Sequence, residues 1–151
     1  MIKVAVLGSG IMGSGIACHL ANIALEVLLL DMISKEAASS NDKTVRNGLA
    51  NASLKSAVKS KPSPVFTNSV MKNIKTGNFI DNFEEIKDYD WIIEVVVERL
   101  DIKNIIFEQV DQYRKKGSLI SSNTSGIPIE SMIEKRSEDF QAHFFGSPFF
   151  N

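Results

Sequence analysis

Gly8-Ser9-Gly10-Ile11-Met12-Gly13 is the stretch on which the reading of this chain turns. Its glycines stand in the pattern G-x-G-x-x-G, directly after an apolar, β-branched run, Ile2–Leu7. They open a second segment, Ile11–Ala24, in which Met12, Ile16, Leu20 and Ile23 recur at helical spacing. Strand, glycine turn and helix in that order put the free N–H groups and positive end of a helix where a phosphate can reach them. Gly8 allows the tight turn, Gly10 lets backbone approach a pyrophosphate, and Gly13 lets helix pack on strand. Ile11 and Met12 then sit in the first helical turn, with Gly13, as candidate amide donors. The bland alternative is the same turn in an α/β domain that holds no nucleotide.

Asp31 strengthens the nucleotide reading. It closes a second apolar run, Glu26–Leu30, eighteen residues past Gly13. A carboxylate there accepts hydrogen bonds from the adenosine ribose hydroxyls and repels a 2′-phosphate. No Lys or Arg follows until Lys35. The expected cofactor is therefore NAD(H) rather than NADP(H).

Outward from this unit, short apolar runs alternate with longer amphipathic stretches, the pattern of βαβ units. Ser34–Ser60 reads as helical with a weak point at Asn47-Gly48, and Lys61-Pro-Ser-Pro64 breaks the chain. Thr76-Gly-Asn-Phe79 reads as a turn into a short strand. Trp91–Val97 (W-I-I-E-V-V-V) reads as a strand covered on both faces. Arg99–Lys116 reads as a helix with Ile102, Ile106, Val110 and Tyr113 inward and Gly117 as its stop. Ser118–Ser122 is the next strand, Ile127–Lys135 a short helix, and Phe144–Phe150 a last extended segment. The expected fold is α/β: a Rossmann-type doubly wound, mostly parallel sheet in one domain over residues 1–151.

Composition agrees with a globular chain. Of 151 residues, 44% are apolar and 23% charged, and the net charge is −1, which gives no basic surface for nucleic acid. The single Cys18 excludes an internal disulfide, and Met1 runs straight into Ile-Lys-Val-Ala-Val-Leu without the layout of a signal peptide. No apolar run is long enough to span a bilayer. The expected location is the cytoplasm. No residues have metal-ligand spacing.

With G-S-G-I-M-G-S-G-I-A at its start, the chain resembles the 3-hydroxyacyl-CoA dehydrogenase family of fatty-acid β-oxidation, bacterial type. The same resemblance is carried by T-G-N-F (76–79), D-W-I-I-E-V-V-V-E-R-L-D-I-K (90–103), S-N-T-S-G-I-P-I (122–129) and the terminal G-S-P-F-F-N (146–151). It covers the NAD-binding domain of that family, and the helical domain that follows there is absent. The resemblance implies oxidation of a 3-hydroxyacyl-CoA to the 3-ketoacyl-CoA, with NAD⁺ as hydride acceptor. It also implies an acyl-CoA substrate and a homodimer formed through the helical domain. It puts Glu98 and Lys103 at the nicotinamide half of the cofactor site, Asn123 and Asn151 beside it, and Ser125 near both nicotinamide and substrate hydroxyl. Spacing alone leaves Glu98 and Lys103 open to being a surface ion pair, and Asn123, Thr124 and Ser125 open to capping a helix.

The terminal segment departs from the pattern. The family's general-base histidine stands in G-x-H-F-F-N, so Pro148 occupies the histidine position here. A second alignment uses His143-Phe144-Phe145, placing His143 as the base but putting Gly146 where Asn belongs. In the preferred alignment His143 is a partly exposed loop or strand residue, and His19 lies on a helix surface. The expectation is a truncated domain that binds NAD(H) with little turnover. The alternatives are a non-catalytic NAD(H)-binding module and a dehydrogenase of small 3-hydroxy acids.

Overall fold

The computed structural model describes residues 1–147. Pro148, Phe149, Phe150 and Asn151 lie outside the described residues. Six strands form one sheet: β1 Lys3–Leu7, β2 Glu26–Asp31, β3 Ile74–Asn78, β4 Trp91–Glu94, β5 Leu119–Ser122 and β6 Phe144–Gly146. Their order is β3-β2-β1-β4-β5-β6 and every described pairing is parallel. This is the doubly wound α/β fold expected from the sequence, with a wholly parallel sheet rather than a mostly parallel one.

Alternation along the strands builds two apolar layers. Val4, Val6, Val27, Leu29 and Ile93 face α1 (Ile11–Asn22) and α3 (Gly48–Lys59). Ala5, Leu7, Leu28, Leu30, Ile92 and Ile120 face the other way. There they meet Ile106, Phe107 and Val110 of α4 (Leu100–Tyr113), Met132 of α5 (Ile129–Ile133) and Phe140 of α6 (Glu138–His143). The chain winds outward from β1 through β2 and β3, then restarts beside β1 with β4. That reversal opens a crevice at the carboxyl ends of β1 and β4, the place where open parallel sheets bind ligands.

Local differences from the sequence reading have physical causes. Helix α1 buries Gly13, Ser14, Ile16, Ala17, Cys18 and Ala21, not a stripe of large residues through Ile23. Small side chains let this helix lie close on the sheet. Ile23 is exposed, because the helix stops in a Schellman turn: Leu25 N–H donates to Leu20 O and Ala24 N–H to Ala21 O, with Ala24 at φ +64°. Thr76-Gly77-Asn78 is strand rather than turn, paired to Leu29, Leu30 and Asp31. The polar stretch after Ser34 divides at Asn47 into the short α2 (Lys43–Arg46) and α3, as Asn47-Gly48 suggested. Strand β4 stops at Glu94, and Val95 and Val96 lie against the glycine turn. Helix α6 has no counterpart in the sequence reading. Ser137 caps it by accepting from Phe140 N–H at 3.2 Å, and six residues are too few for a clear periodicity.

The β2–β3 crossover is clasped by Arg46, whose Nε and Nη2 donate to the two oxygens of Asp81 at 2.6 and 2.9 Å. The Arg46 bond, reinforced by Asn78, lowers the Asp81 carboxyl to about 2. A depressed carboxylate favours the fold above its ordinary range and loses that contribution as pH falls through the folded value. The stability difference between the wild type and Arg46→Met is therefore expected to shrink from pH 4 to pH 2 in urea titrations followed by circular dichroism. Equal differences at both ends would show that the clasp carries no such linkage.

Candidate functional site

Parallel register brings Leu7, Leu30, Glu94, Ser122 and Gly146 level with one another, so the loops that follow them crowd onto one edge. The glycine turn sits in the middle of that edge. Gly8 takes φ +108° and donates its N–H to Leu30 O at 2.8 Å. A Cβ on Gly8 would stand 2.7 Å from the Val95 carbonyl oxygen, and one on Gly13 would drive into the Gly8 carbonyl. Gly10 differs, since a Cβ there would meet nothing within 4 Å. Two glycines are thus demanded by the chain's own packing, and the third faces open space above the start of α1. Gly10 is the N-cap and supplies no side-chain cap. The amides of Ile11, Met12 and Gly13 precede the first acceptors inside the helix and face that space with the positive end of the dipole. Beside them runs a cleft of about 620 Å³ between α1 and α3, lined in part by Gly10, Ile11, Ser14, Ser53 and Ser56.

Asp31 reaches back to this turn. Its Oδ2 accepts from the Ser9 amide at 3.0 Å and from the Ser9 hydroxyl, and its Oδ1 accepts from Met32 N–H at 2.7 Å. Each carboxylate oxygen has two acceptor directions. Beyond Met32, Oδ1 keeps one acceptor direction without a partner among the described residues. Ser9 is fully buried and orients the carboxylate. Sequence reasoning treated Ser9 as a spacer, and no local pattern distinguishes it.

A second cluster lies across the crevice at the ends of β4 and β5. Lys103 is fully buried and its Nζ donates to Glu94 Oε1 at 2.7 Å, with Glu98 Oε1 at 3.9 Å. Glu94 also accepts from Val96 N–H at 2.7 Å and from the Ser122 hydroxyl. The Thr124 hydroxyl donates to Glu98. The ion pair that spacing left open for Glu98 and Lys103 forms only loosely, at 3.9 Å and from a buried lysine, and the close partner is Glu94, inside the protein. Glu94 and Ser122 were missed, and Thr124 was read only as a possible helix cap. Their signal was present, because Glu94 is the lone charge within an apolar strand and Lys103 lies a turn before Ile106, Phe107 and Val110 on their own face. Opposite charges stranded in two apolar faces predict each other.

Asn123 donates its N–H to Glu94 O at 2.9 Å, and Ser125 is exposed in the turn beyond. Neither caps a helix, since α5 begins at Ile129 behind Pro128. His143 ends α6 rather than lying in a loop or strand, with Nδ1 2.7 Å from the Asp139 carbonyl oxygen. It precedes β6, at the opposite end of that strand from Gly146 and the crevice. That placement counts against His143 as the base. Pro148 and Asn151 lie outside the described residues. His19 is exposed on α1. Among the described residues no group of His, Cys, Asp and Glu could hold a metal ion, and no helix is long and apolar enough to cross a membrane.

An uncapped helix start behind a glycine turn, with a strand-end carboxylate beside it at a sheet's switch point, defines a dinucleotide-binding domain. Residues 3–151 match the family described as 3-hydroxyacyl-CoA dehydrogenase, NAD binding domain, and the chain belongs to that family. A probable 3-hydroxyacyl-CoA dehydrogenase of Bacillus subtilis is 49% identical over 157 aligned positions, covering 99% of this chain and 20% of its own length. One from Deinococcus radiodurans is 44% identical, covering 99% of this chain and 41% of its own. The chain thus spans less than half the length of either relative. Among solved structures, the 3-hydroxybutyryl-CoA dehydrogenase of Escherichia coli superposes with a TM-score of 0.71 at 30% identity, over 99% of this chain and 30% of that one. The (S)-3-hydroxybutyryl-CoA dehydrogenase of Ralstonia eutropha gives 0.71 at 29%, over 99% and 49%.

Proposed function

We propose that this chain is the cofactor-holding part of an enzyme that oxidises (S)-3-hydroxyacyl-CoA to 3-ketoacyl-CoA, and that alone it binds NAD(H) with little turnover. The observation that carries the reading is the glycine turn with Asp31 clasped to it by Ser9. The first-turn amides of Ile11, Met12 and Gly13 take the pyrophosphate and Asp31 takes the adenosine ribose. Glu98, Lys103, Asn123 and Ser125 serve the nicotinamide end, with Asn151 beside them. Bound NAD⁺ supplies the hydride acceptor. Ser125, exposed at the rim, hydrogen-bonds the substrate hydroxyl. The family's base position is Pro148, which cannot accept a proton, and loss of a general base costs about 10²–10⁴-fold in rate. In this reading residues 1–151 form one NAD-binding domain. The acyl pocket and homodimer contact belong to a further helical domain, and the setting is cytoplasmic β-oxidation.

Pro148 also favours a second reading, a non-catalytic NAD(H)-binding module, while activity on free 3-hydroxy acids would instead mark a small-acid dehydrogenase. The test is a fluorescence titration with NADH and NADPH, run beside an assay with 3-hydroxybutyryl-CoA and NAD⁺. NADH is expected to bind at least about tenfold more tightly than NADPH, since Asp31 meets the 2′-phosphate with like charge. Equal affinities would remove the role of Asp31. Turnover near that of an intact dehydrogenase would overturn the assignment of the base to position 148.

A further inference from the structure

Glu94 and Lys103 are, among the described residues, the charged residues with no exposed surface at all. Packing alone is a weak reason for them. Desolvating two ions costs as much as their attraction returns, so an apolar pair of similar volume serves stability equally well. Lys103 is moreover the fourth residue of α4, at the end where the helix dipole disfavours a cation.

The geometry shows what the pair holds. Glu94 collects donors from three elements: Val96 in the β4–α4 turn, Lys103 on α4 and Ser122 on β5. Between Glu94 and Val96, Val95 donates to Leu7 O at 2.8 Å and carries the carbonyl that touches Gly8. Glu94 thereby sets the turn that lies on the glycine loop. An ammonium has three donors. Lys103 spends one on Glu94, has a long contact of 3.5 Å to Val96 O, and stands 3.9 Å from Glu98, too far for a hydrogen bond. One donor therefore lacks a protein partner at bonding distance among the described residues. Glu98 is 46% exposed at the rim, steered by that ammonium from below and fixed by the Thr124 hydroxyl from the β5 side. Asp31 takes the adenosine end on the β2 side of the glycine turn. A dinucleotide laid across the turn brings its other end to the ends of β4 and β5.

We propose that Glu94 is a positioning residue for the nicotinamide half of the cofactor site, acting through Lys103 on Glu98. Ser122 and Thr124 complete the support. This rests on the NAD(H) reading above.

The test compares NADH with ADP-ribose, which lacks the nicotinamide and so engages only the Asp31 and glycine-turn half. Both dissociation constants are measured on the 151-residue chain, on Glu94→Gln and on the double variant E94Q/K103M, with thermal melts to show that each is folded. The double variant buries no charge and keeps the comparison valid if Glu94→Gln does not fold. NADH is expected to weaken about tenfold in Glu94→Gln, which keeps Lys103, and by no less in the double variant, the effect of one charge-assisted hydrogen bond, while ADP-ribose stays within about twofold. Equal losses for both ligands, or unchanged NADH affinity in the double variant, would overturn the positioning role. A wild-type chain that binds neither ligand would instead overturn the cofactor reading itself, and this inference with it.

Discussion

Gly13→Ala is expected to abolish NADH binding and to lower the unfolding midpoint of the chain sharply, although the substitution adds a single methyl group to a helix. Alanine is the better helix former by about 1 kcal/mol, so propensity alone predicts stabilisation. Packing reverses the sign. The new Cβ would drive into the Gly8 carbonyl and stand 3.1 Å from Val95 Cγ2. The carbonyl is backbone and cannot swing away as a side chain does. Either α1 lifts from the sheet, exposing the layer that Ile16, Ala17 and Cys18 make with Val4 and Val6, or the Gly8 turn opens. Overpacking of a core costs about 1–3 kcal/mol, and a backbone obstacle belongs at the upper end. Opening the turn also moves the amides of Ile11 and Met12 away from a pyrophosphate. Gly10→Ala is the control, because its Cβ meets nothing within 4 Å. Its fold should be retained while NADH binding falls, as the methyl fills space the phosphates need. Denaturant melts and NADH titrations of both variants check the pair of expectations, and a Gly13→Ala chain as stable as wild type would refute the first.

The contrast between these glycines shows which features the sequence displayed openly. Strand, turn and helix are punctuated locally, so β1, the glycine turn, α1 and Asp31 were all legible, and the order of alternating runs implied the doubly wound sheet. What stayed hidden depends on contacts distant in the chain. The inward face of α1 followed closeness to the sheet, which selects Gly, Ser, Ala and Cys, whereas hydrophobic periodicity weights Met12, Leu20 and Ile23. Trp91–Val97 is apolar apart from Glu94, yet only Trp91–Glu94 is strand, because Val95 and Val96 lie against the glycine turn instead of a neighbouring strand. Ser9 reads as any small turn residue until Asp31 is brought against it from twenty-two residues away. Lys103 was assigned to the site by resemblance, and its partner Glu94 was marked in the sequence as the lone charge of an apolar strand, while the donors it gathers from Val96 and Ser122 depend on the packing.

That partnership sets the other large effect. Lys103→Met is expected to cost about 3–5 kcal/mol of folding stability, the toll of leaving one member of a buried ion pair without its counterion. Glu94 would remain with the Val96 amide and the Ser122 hydroxyl, two neutral donors to one buried charge. The double variant E94Q/K103M should recover most of that loss. Its glutamine carbonyl can still accept from Val96 N–H, and methionine fills the volume of the lysine stem beside Ile106 and Phe107. Recovery follows from the physics of the pair, since desolvation of two ions offsets their mutual attraction. A double-mutant cycle from urea melts is therefore expected to give a coupling of several kcal/mol between positions 94 and 103, against no more than about 1 kcal/mol for the exposed Lys3–Glu26 bridge at 3.1 Å. Additive losses at 94 and 103 would mean that the two charges are not joined as described. Strong coupling in stability, together with NADH affinity that the double variant fails to recover, would separate what the pair contributes to the fold from what it contributes to the site. The first term vanishes when both charges are removed together, and the second persists because Glu98 has lost the ammonium that steers it.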